Sequence, residues 1–215
     1  MRQIRILLAD DHTLILQGIR GLLADKYDVV GSAPDGKSLV AAALRLTPDL
    51  VVLDVSMPVL NGIDAAGEIK KSLPLTKLVF LTMHSNAIYL RKAFETGASG
   101  YVLKSGASEE LISAIEAALR DESYISPGLG HNVIQSLQFA SAKPSRAALE
   151  LTARQRQILQ LIAEGRQNKE IGEILSVSVK TVEFHRSRLM AKLGTYTVAE
   201  LTQIAIREGL IGAGH

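Results

Sequence analysis

The sequence predicts a doubly wound α/β domain with a five-stranded parallel sheet, followed by a small all-α helix-turn-helix domain. Three observations carry this expectation. Five short, nearly continuous apolar runs alternate with amphipathic stretches through residue 120; from residue 151 onward only helical patterns appear; and the charge changes sign along the chain. With 215 residues, 47% of them hydrophobic and 21% charged, the chain can bury two cores, and extensive disorder is excluded.

The strand candidates are residues 4–9, 28–33, 50–53, 77–82 and 100–103, mostly β-branched or leucine-rich. Between and after them, residues 13–24, 36–46, 62–72, 86–96 and 108–120 carry helical spacing. Strands with apolar side chains on both faces, joined by amphipathic helices, require a parallel sheet covered on both sides. This unit is placed at residues 1–125. Breaker-rich segments at Ser126-Pro-Gly-Leu-Gly-His and Ala140-Ser-Ala-Lys-Pro-Ser-Arg mark a linker over residues 126–148, with a helix expected over 132–139.

Residues 149–215 form the second unit, and caps announce its helices. Thr152 with Gln155 makes a capping box for residues 153–163, Asn168 opens 169–175, Ser178 precedes 179–193, and Thr197 with Glu200 makes another box. The two middle helices, separated by Ser176-Val-Ser, have the length and short turn of a helix-turn-helix. In the longer one, Val182, Leu189 and Leu193 share an apolar side, leaving a basic face to the other. Residues 1–124 carry 13 basic and 15 acidic side chains, a net of −2, whereas residues 125–215 carry 11 and 7, a net of +4. A basic second half points toward nucleic acid as its partner.

Several classes drop out. The absence of cysteine excludes a disulfide framework, a thiolate zinc site and a cysteine nucleophile, and fits a reducing compartment. No apolar run approaches the roughly 18 residues of a membrane span, and the acidic pair at Asp10-Asp11 arrives too early for a secretory leader. The expectation is a cytoplasmic protein without membrane contact.

In doubly wound sheets, ligands bind beyond the carboxyl ends of the strands. Those ends carry Asp10 and Asp11, Asp54, Thr82 and Lys104. One aspartate at a strand end is more often a helix cap or turn former than a ligand; fitting residues at four strand ends together reverse that reading. Three converging carboxylates call for a raised pKa or a divalent cation, and an all-oxygen set favours Mg2+ over zinc. A lysine and a hydroxyl supply what a transferred phosphoryl group needs, with Asp54 as nucleophile through an acyl phosphate.

The motifs Asp10-Asp11-His12, Val52-Leu-Asp54-Val-Ser56-Met-Pro58 with Asn61-Gly62, Leu81-Thr82 and Gly97-Ala-Ser-Gly-Tyr101-Val-Leu-Lys104 resemble a two-component response regulator of the NarL/FixJ type. The resemblance implies a flavodoxin-like receiver with strand order 2-1-3-4-5 over residues 1 to 120. It further implies that Asp54 accepts phosphate from a histidine kinase, and that Asp10, Asp11, Asp54 and the Ser56 backbone carbonyl bind Mg2+. Thr82 and Lys104 would hold the phosphoryl group, and Tyr101 would turn inward when Thr82 moves. Ser56 and His84 flank the site and would tune phosphate lifetime. Ser105 departs from the family, many of whose members carry a proline there that favours a cis bond.

The later motifs Leu151-Thr-Ala-Arg-Gln-Arg-Gln-Ile-Leu, Ile162-Ala-Glu-Gly, Asn168-Lys-Glu-Ile-Gly-Glu-Ile-Leu, Ser178-Val-Lys-Thr-Val-Glu-Phe-His-Arg and Lys192-Leu-Gly are similar to the LuxR-type DNA-binding domain. That similarity makes residues 179–193 the recognition helix. Glu183, Phe184 and Ser187 would reach base edges; Lys180, Thr181, His185, Arg186, Arg188 and Lys192 are candidates for phosphate contacts on double-stranded DNA. Thr195-Tyr-Thr-Val departs from the basic residue frequent after the family's Leu-Gly. The family's last helix, here 198–207, commonly forms the dimer contact; Val198, Leu201 and Ile204 fit that role or the intradomain core.

The expectation is therefore a regulator, not an enzyme beyond its own phosphotransfer and dephosphorylation, that forms homodimers when phosphorylated and binds DNA. The alternative is a phosphate-independent regulator acting through protein contacts, with RNA polymerase as partner. A haloacid-dehalogenase-type phosphatase needs a second aspartate where Ser56 stands, and a dinucleotide-binding enzyme needs G-x-G-x-x-G where the chain has Ala9-Asp-Asp-His-Thr-Leu.

Overall fold

The computed structural model describes residues 3–130 and 151–212, which belong to two compact units. The helix expected over 132–139, and the linker beyond residue 130, lie outside the described residues.

The first unit runs β1 (Arg5–Ala9), α1 (Thr13–Leu23), β2 (Asp28–Ala33), α2 (Gly36–Leu46), β3 (Leu50–Leu53), α3 (Gly62–Ser72), β4 (Lys77–Thr82), α4 (Ala87–Glu95), β5 (Gly100–Leu103), α5 (Ala107–Leu119) and β6 (Tyr124–Ile125). All neighbouring strands pair in parallel, in the order β2-β1-β3-β4-β5-β6. The sheet thus has six strands where the sequence predicts five. The additional strand is two residues long, below the length at which alternation can register.

Successive side chains of a strand point to opposite faces, so each strand feeds two cores. On one face Leu7, Val51, Leu53, Leu78, Phe80 and Tyr101 pack under α2, α3 and α4. On the other, Ile6, Leu8, Val52, Val79, Leu81 and Val102 pack under α1 and α5. Every residue of β3 is buried, which makes it a rigid platform for the residue that follows it. Helix starts are fixed by side-chain caps: Asp35 accepts from Ser38 N–H at 2.8 Å, Asn61 from Asp64 N–H at 3.0 Å, and Asn86 from Ile88 N–H at 3.0 Å. Each such cap contributes about 1 kcal/mol.

Residues 126–130, counted with the linker in the sequence reading, continue the first unit's packing. Pro127–Leu129 form a 3₁₀ turn, Ser126 is fully buried, and Leu129 enters the core cluster of α2–α4. Lys104–Gly106 form a second 3₁₀ turn before α5, and every peptide bond among the described residues is trans.

The second unit comprises α6 (Ala153–Ala163), α7 (Asn168–Leu175), α8 (Val179–Leu193) and α9 (Val198–Arg207). Helix α7 begins one residue earlier than expected, with Gln167 at the cap position, because Glu170 accepts from Gln167 N–H at 2.7 Å. Asn168 is occupied elsewhere, accepting from Arg186 at 3.3 Å. The α7–α8 turn is tight: a Cβ on Gly172 would stand 2.9 Å from the Val177 carbonyl oxygen, and Ser176 adopts a left-handed φ of 54°. Ile158, Leu161, Ile171, Val182, Leu189, Leu201 and Ile204 form the core. Leu201 and Ile204 are therefore intradomain core residues, and only Val198 of the three dimer candidates is exposed.

Candidate functional site

The strands deliver their terminal residues to one end of the sheet. Asp54 N–H extends the β1–β3 ladder by donating to the Ala9 carbonyl at 2.9 Å, and Asp10 N–H donates to the Ala33 carbonyl at 3.1 Å. Asp10, Asp54 and Thr82 are all buried. Lys104 reaches across from the end of β5, its Nζ 2.7 Å from Asp10 Oδ2 and 2.7 Å from Asp54 Oδ2. The sequence places Lys104 at the same strand ends as the carboxylates; the structure sets it between two of them, where its ammonium supplies the counter-charge that buried carboxylates need.

Asp54 Oδ1 accepts from Val55 N–H at 2.6 Å, and the Thr82 hydroxyl donates to the same carboxylate. Burial pushes the Asp54 carboxyl above its ordinary range; the Lys104 charge and hydrogen bond pull it back, and Asp10 adds to the rise. Burial works against the Lys104 ammonium, yet Asp54 and Asp10 together hold it above the usual lysine value. The group is thus an acceptor carboxylate beside a fixed cation and a hydroxyl, an arrangement suited to receiving an electrophile with anionic oxygens.

Asp11 and His12 complete the rim. His12 N–H donates to Asp10 Oδ1 at 2.9 Å, and its Nδ1 lies 2.8 Å from Asp11 Oδ1. Ligand atoms of Asp10, Asp11 and His12 gather within 4.8 Å of one another. Asp11 Oδ1 is sealed from solvent without a geometrically sound hydrogen bond, the condition a hard cation relieves. These oxygens fit Mg2+, which receiver domains typically bind. Beside the carboxylates expected at the strand ends, the structure brings in His12 as well.

The loop from Asp54 to α3 is tightly constrained. Gly62 N–H donates to the Val55 carbonyl at 2.8 Å, and a Cβ on Gly62 would fall 1.8 Å from the Asp54 carbonyl oxygen. Only glycine allows that approach. Val59 holds a φ of 68°, a costly conformation for a β-branched residue. Ser56 Oγ lies 2.7 Å from His84 Nε2. The His84 ring stacks on Tyr89 with centroids 4.0 Å apart, and its carbonyl accepts from the Tyr101 hydroxyl at 2.8 Å. Tyr101 is fully buried and already inward, and burial pushes its phenol far above the usual value. His84 therefore joins three elements, and no sequence signal identifies Tyr89 as its stacking partner.

On α8, Lys180, Glu183, Phe184, Ser187, Arg188 and Lys192 are exposed, while Thr181, His185 and Arg186 are half-buried. The exposed positions recur at three- and four-residue spacing and so share one face, whereas Arg186 turns away from it to the Asn168 side chain. Ser178 caps the helix by accepting from Thr181 N–H at 3.1 Å, and Thr181 Oγ1 lies 2.8 Å from Ser178 Oγ. The Arg188 guanidinium stands 5.3 Å from the centre of the Phe184 ring, which is 56% exposed. The pair places an aromatic face and a cation side by side on the exposed side of α8.

Sheet, strand-end cluster and helix-turn-helix together define a signalling receiver joined to a DNA-binding module. The comparisons agree: residues 6–116 match the response regulator receiver domain, and residues 149–205 match the bacterial regulatory proteins of the luxR family. The chain belongs to the response regulators that pair these two domains and regulate transcription. It is 36% identical over 211 residues to the transcriptional regulatory protein MctR of Rhizobium johnstonii, covering 97% of this chain and 96% of that protein. It is 35% identical to the response regulator UvrY of Escherichia coli, with 98% and 97% covered. Among solved structures, the RcsB–DNA complex aligns with a TM-score of 0.58 at 27% identity, covering 96% of this chain and 99% of that one. RcsB of Salmonella typhimurium aligns with a TM-score of 0.63 at 28% identity, covering 97% and 99%. No helix among the described residues is long and apolar enough to cross a membrane.

Proposed function

We propose that this chain is a cytoplasmic, phosphorylation-controlled transcription regulator in which Asp54 takes a phosphoryl group from a histidine kinase. The observation that carries the reading is Asp54 at the tip of a fully buried strand, 2.7 Å from the Lys104 ammonium and hydrogen-bonded by Thr82. A carboxylate oxygen of Asp54 attacks phosphorus, the P–N bond of the donor phosphohistidine breaks, and the electron pair stays on the imidazole. Lys104 and Thr82 then turn to the phosphoryl oxygens. Asp10, Asp11, Asp54 and the Ser56 carbonyl would hold Mg2+, which supplies charge neutralisation to the transferring group. A groove of about 500 Å³ lined by Ile15, Ile19, Leu22, Leu81 and Lys104 offers a donor helix an approach to the site.

Thr82 and Tyr101 couple the site to the domain surface. Tyr101 stands inward on the His84 carbonyl, the arrangement that a phosphoryl group drawing Thr82 would favour. The output is homodimers placing two α8 helices in major grooves about one helical turn apart. In support, the solved structures include two RcsB dimers bound to two parallel DNAs. Lys180, Thr181, His185, Arg186, Arg188 and Lys192 would contact phosphates; Glu183, Phe184 and Ser187 would read bases, with Glu183 accepting from cytosine N4 and Phe184 touching a thymine methyl.

The test is intact-mass analysis of wild type and Asp54→Asn after incubation with Mg2+ and acetyl phosphate. A single base-labile adduct on wild type and none on Asp54→Asn is the expected result. No adduct on either protein transfers the reading to a phosphate-independent regulator acting through protein contacts, including RNA polymerase.

A further inference from the structure

The segment following α5 is bound to the strand that carries Tyr101. In the β5–β6 pairing, Tyr101 lies beside Ile125, and Ser126 N–H donates to the Tyr101 carbonyl at 2.9 Å. Glu110 of α5 grips the same segment, accepting from Ser126 Oγ and, at 3.4 Å, from the Tyr124 hydroxyl. Leu129, only 3% exposed, belongs to the same apolar cluster as Tyr101 and Tyr89, with Ile125 and Leu103 packed against it. Gly128 sits over Leu103, so close that a Cβ would stand 3.3 Å from Leu103 Cδ1.

We propose that residues 124–130 are the transmission element through which the state of Tyr101 reaches the chain leading to the DNA-binding unit. The proposal rests on the reading of Asp54 as phosphoacceptor and Tyr101 as its switch. Interiors are close-packed, so a large side chain cannot enter or leave one cluster without its neighbours re-seating. Packed clusters of this kind are bistable, and they convert a side-chain movement into two discrete positions of the element above them. With Tyr101 inward, Ile125 and Leu129 have a filled layer to rest on, and the connection to the second unit starts from a fixed point. With Tyr101 outward, that layer is incomplete and the anchor at Leu129 loosens. Ser126 and Glu110 keep the segment at the strand edge in both states, which makes it a hinge anchored at one end.

The experiment uses the full-length chain and one duplex DNA selected on the wild-type protein from a random pool. For wild type, Leu129→Ala, Leu129→Met and Ser126→Ala, three readouts are taken: adduct stoichiometry with Mg2+ and acetyl phosphate, DNA affinity with and without the adduct, and the thermal midpoint. Expected is a full adduct on Leu129→Ala with the affinity ratio between the two states falling toward one, while Leu129→Met keeps the wild-type ratio. Ser126→Ala removes the Glu110 tether that fixes the pivot, so the seating of Leu129 is passed on less fully and the ratio falls even if Leu129→Ala fails to fold. A full adduct with an unchanged ratio in Ser126→Ala and in any folded Leu129→Ala overturns the transmission element alone. A wild type that takes no adduct, or whose affinity ignores it, overturns this proposal together with the reading beneath it.

Discussion

A single buried ammonium, Lys104 Nζ, stands 2.7 Å from both Asp10 Oδ2 and Asp54 Oδ2 and so neutralises carboxylates that follow two different strands. Removing it leaves two buried charges without compensation, a loss of about 3–5 kcal/mol by the usual cost of breaking a buried pair. Lys104→Met is expected to lose about that much stability in urea unfolding at neutral pH. Asp54→Asn is expected to lose far less, because burial already disfavours the Asp54 charge and Asp10 keeps Lys104 paired. Equal losses in the two variants would show that Lys104 does not act as their shared counter-charge.

The β3–α3 loop makes opposite predictions at two positions. Val59→Gly relieves the positive φ of a β-branched residue and should gain about 1 kcal/mol. Gly62→Ala drives a methyl into the Asp54 carbonyl and should lose about 3 kcal/mol, as overpacking does. The same loop carries the phosphoacceptor, so Gly62→Ala should also slow adduct formation. Chemical denaturation of both variants, followed by intact-mass kinetics, checks the pair.

The exposed face of α8 separates affinity from specificity. Replacing Lys180 and Arg188 together with alanine should weaken binding to all DNA sequences and reduce the slope of log affinity against log salt by about 2 for each bound protomer. Glu183→Ala should change which sequence is preferred and leave that slope unchanged. Salt titrations on two duplexes decide, and a sequence-specific loss from the double variant would reverse the assignment.

Glu200 closes the capping box of α9, and hydrogen bonds from the N–H groups of Tyr196 and Thr197 hold its carboxyl below the usual glutamate range. A carboxylate with a depressed folded pKa contributes stability above its unfolded pKa, and that contribution is lost as pH falls through the folded value. Wild type should therefore lose stability below about pH 4.5 more steeply than Glu200→Gln. A carboxyl NMR titration of Glu200 that shows an ordinary midpoint would remove the basis for the difference.

The elements most legible in the sequence are those with the simplest physical cause. Residues 50–53 and 77–82 appear as β3 and β4 with their expected bounds, since strands buried on both faces leave unbroken apolar runs. Helix α8 also keeps its expected bounds, because Ser178 announces its first turn. The residue types at the strand ends were legible for the same reason: topology decides where strand ends meet. What was not legible depends on distances across the fold. Lys104 pairs with Asp10, two intervening strands away in the sheet, and His84 joins Ser56, Tyr89 and Tyr101 from three elements. Leu129 looked like linker because Pro127, Gly128 and Gly130 surround it, yet its side chain completes a core layer. Leu201 and Ile204 could be read two ways until the packing of α9 on the bundle placed them inside.

The most direct measurement is DNA affinity and oligomeric state of the full-length chain, wild type and Asp54→Asn, each with and without Mg2+ and acetyl phosphate, on a duplex selected from a random pool. Phospho-control at Asp54 predicts a shift to dimers and tighter binding for treated wild type only. Identical affinities in all four samples, with the adduct present on wild type, would contradict it.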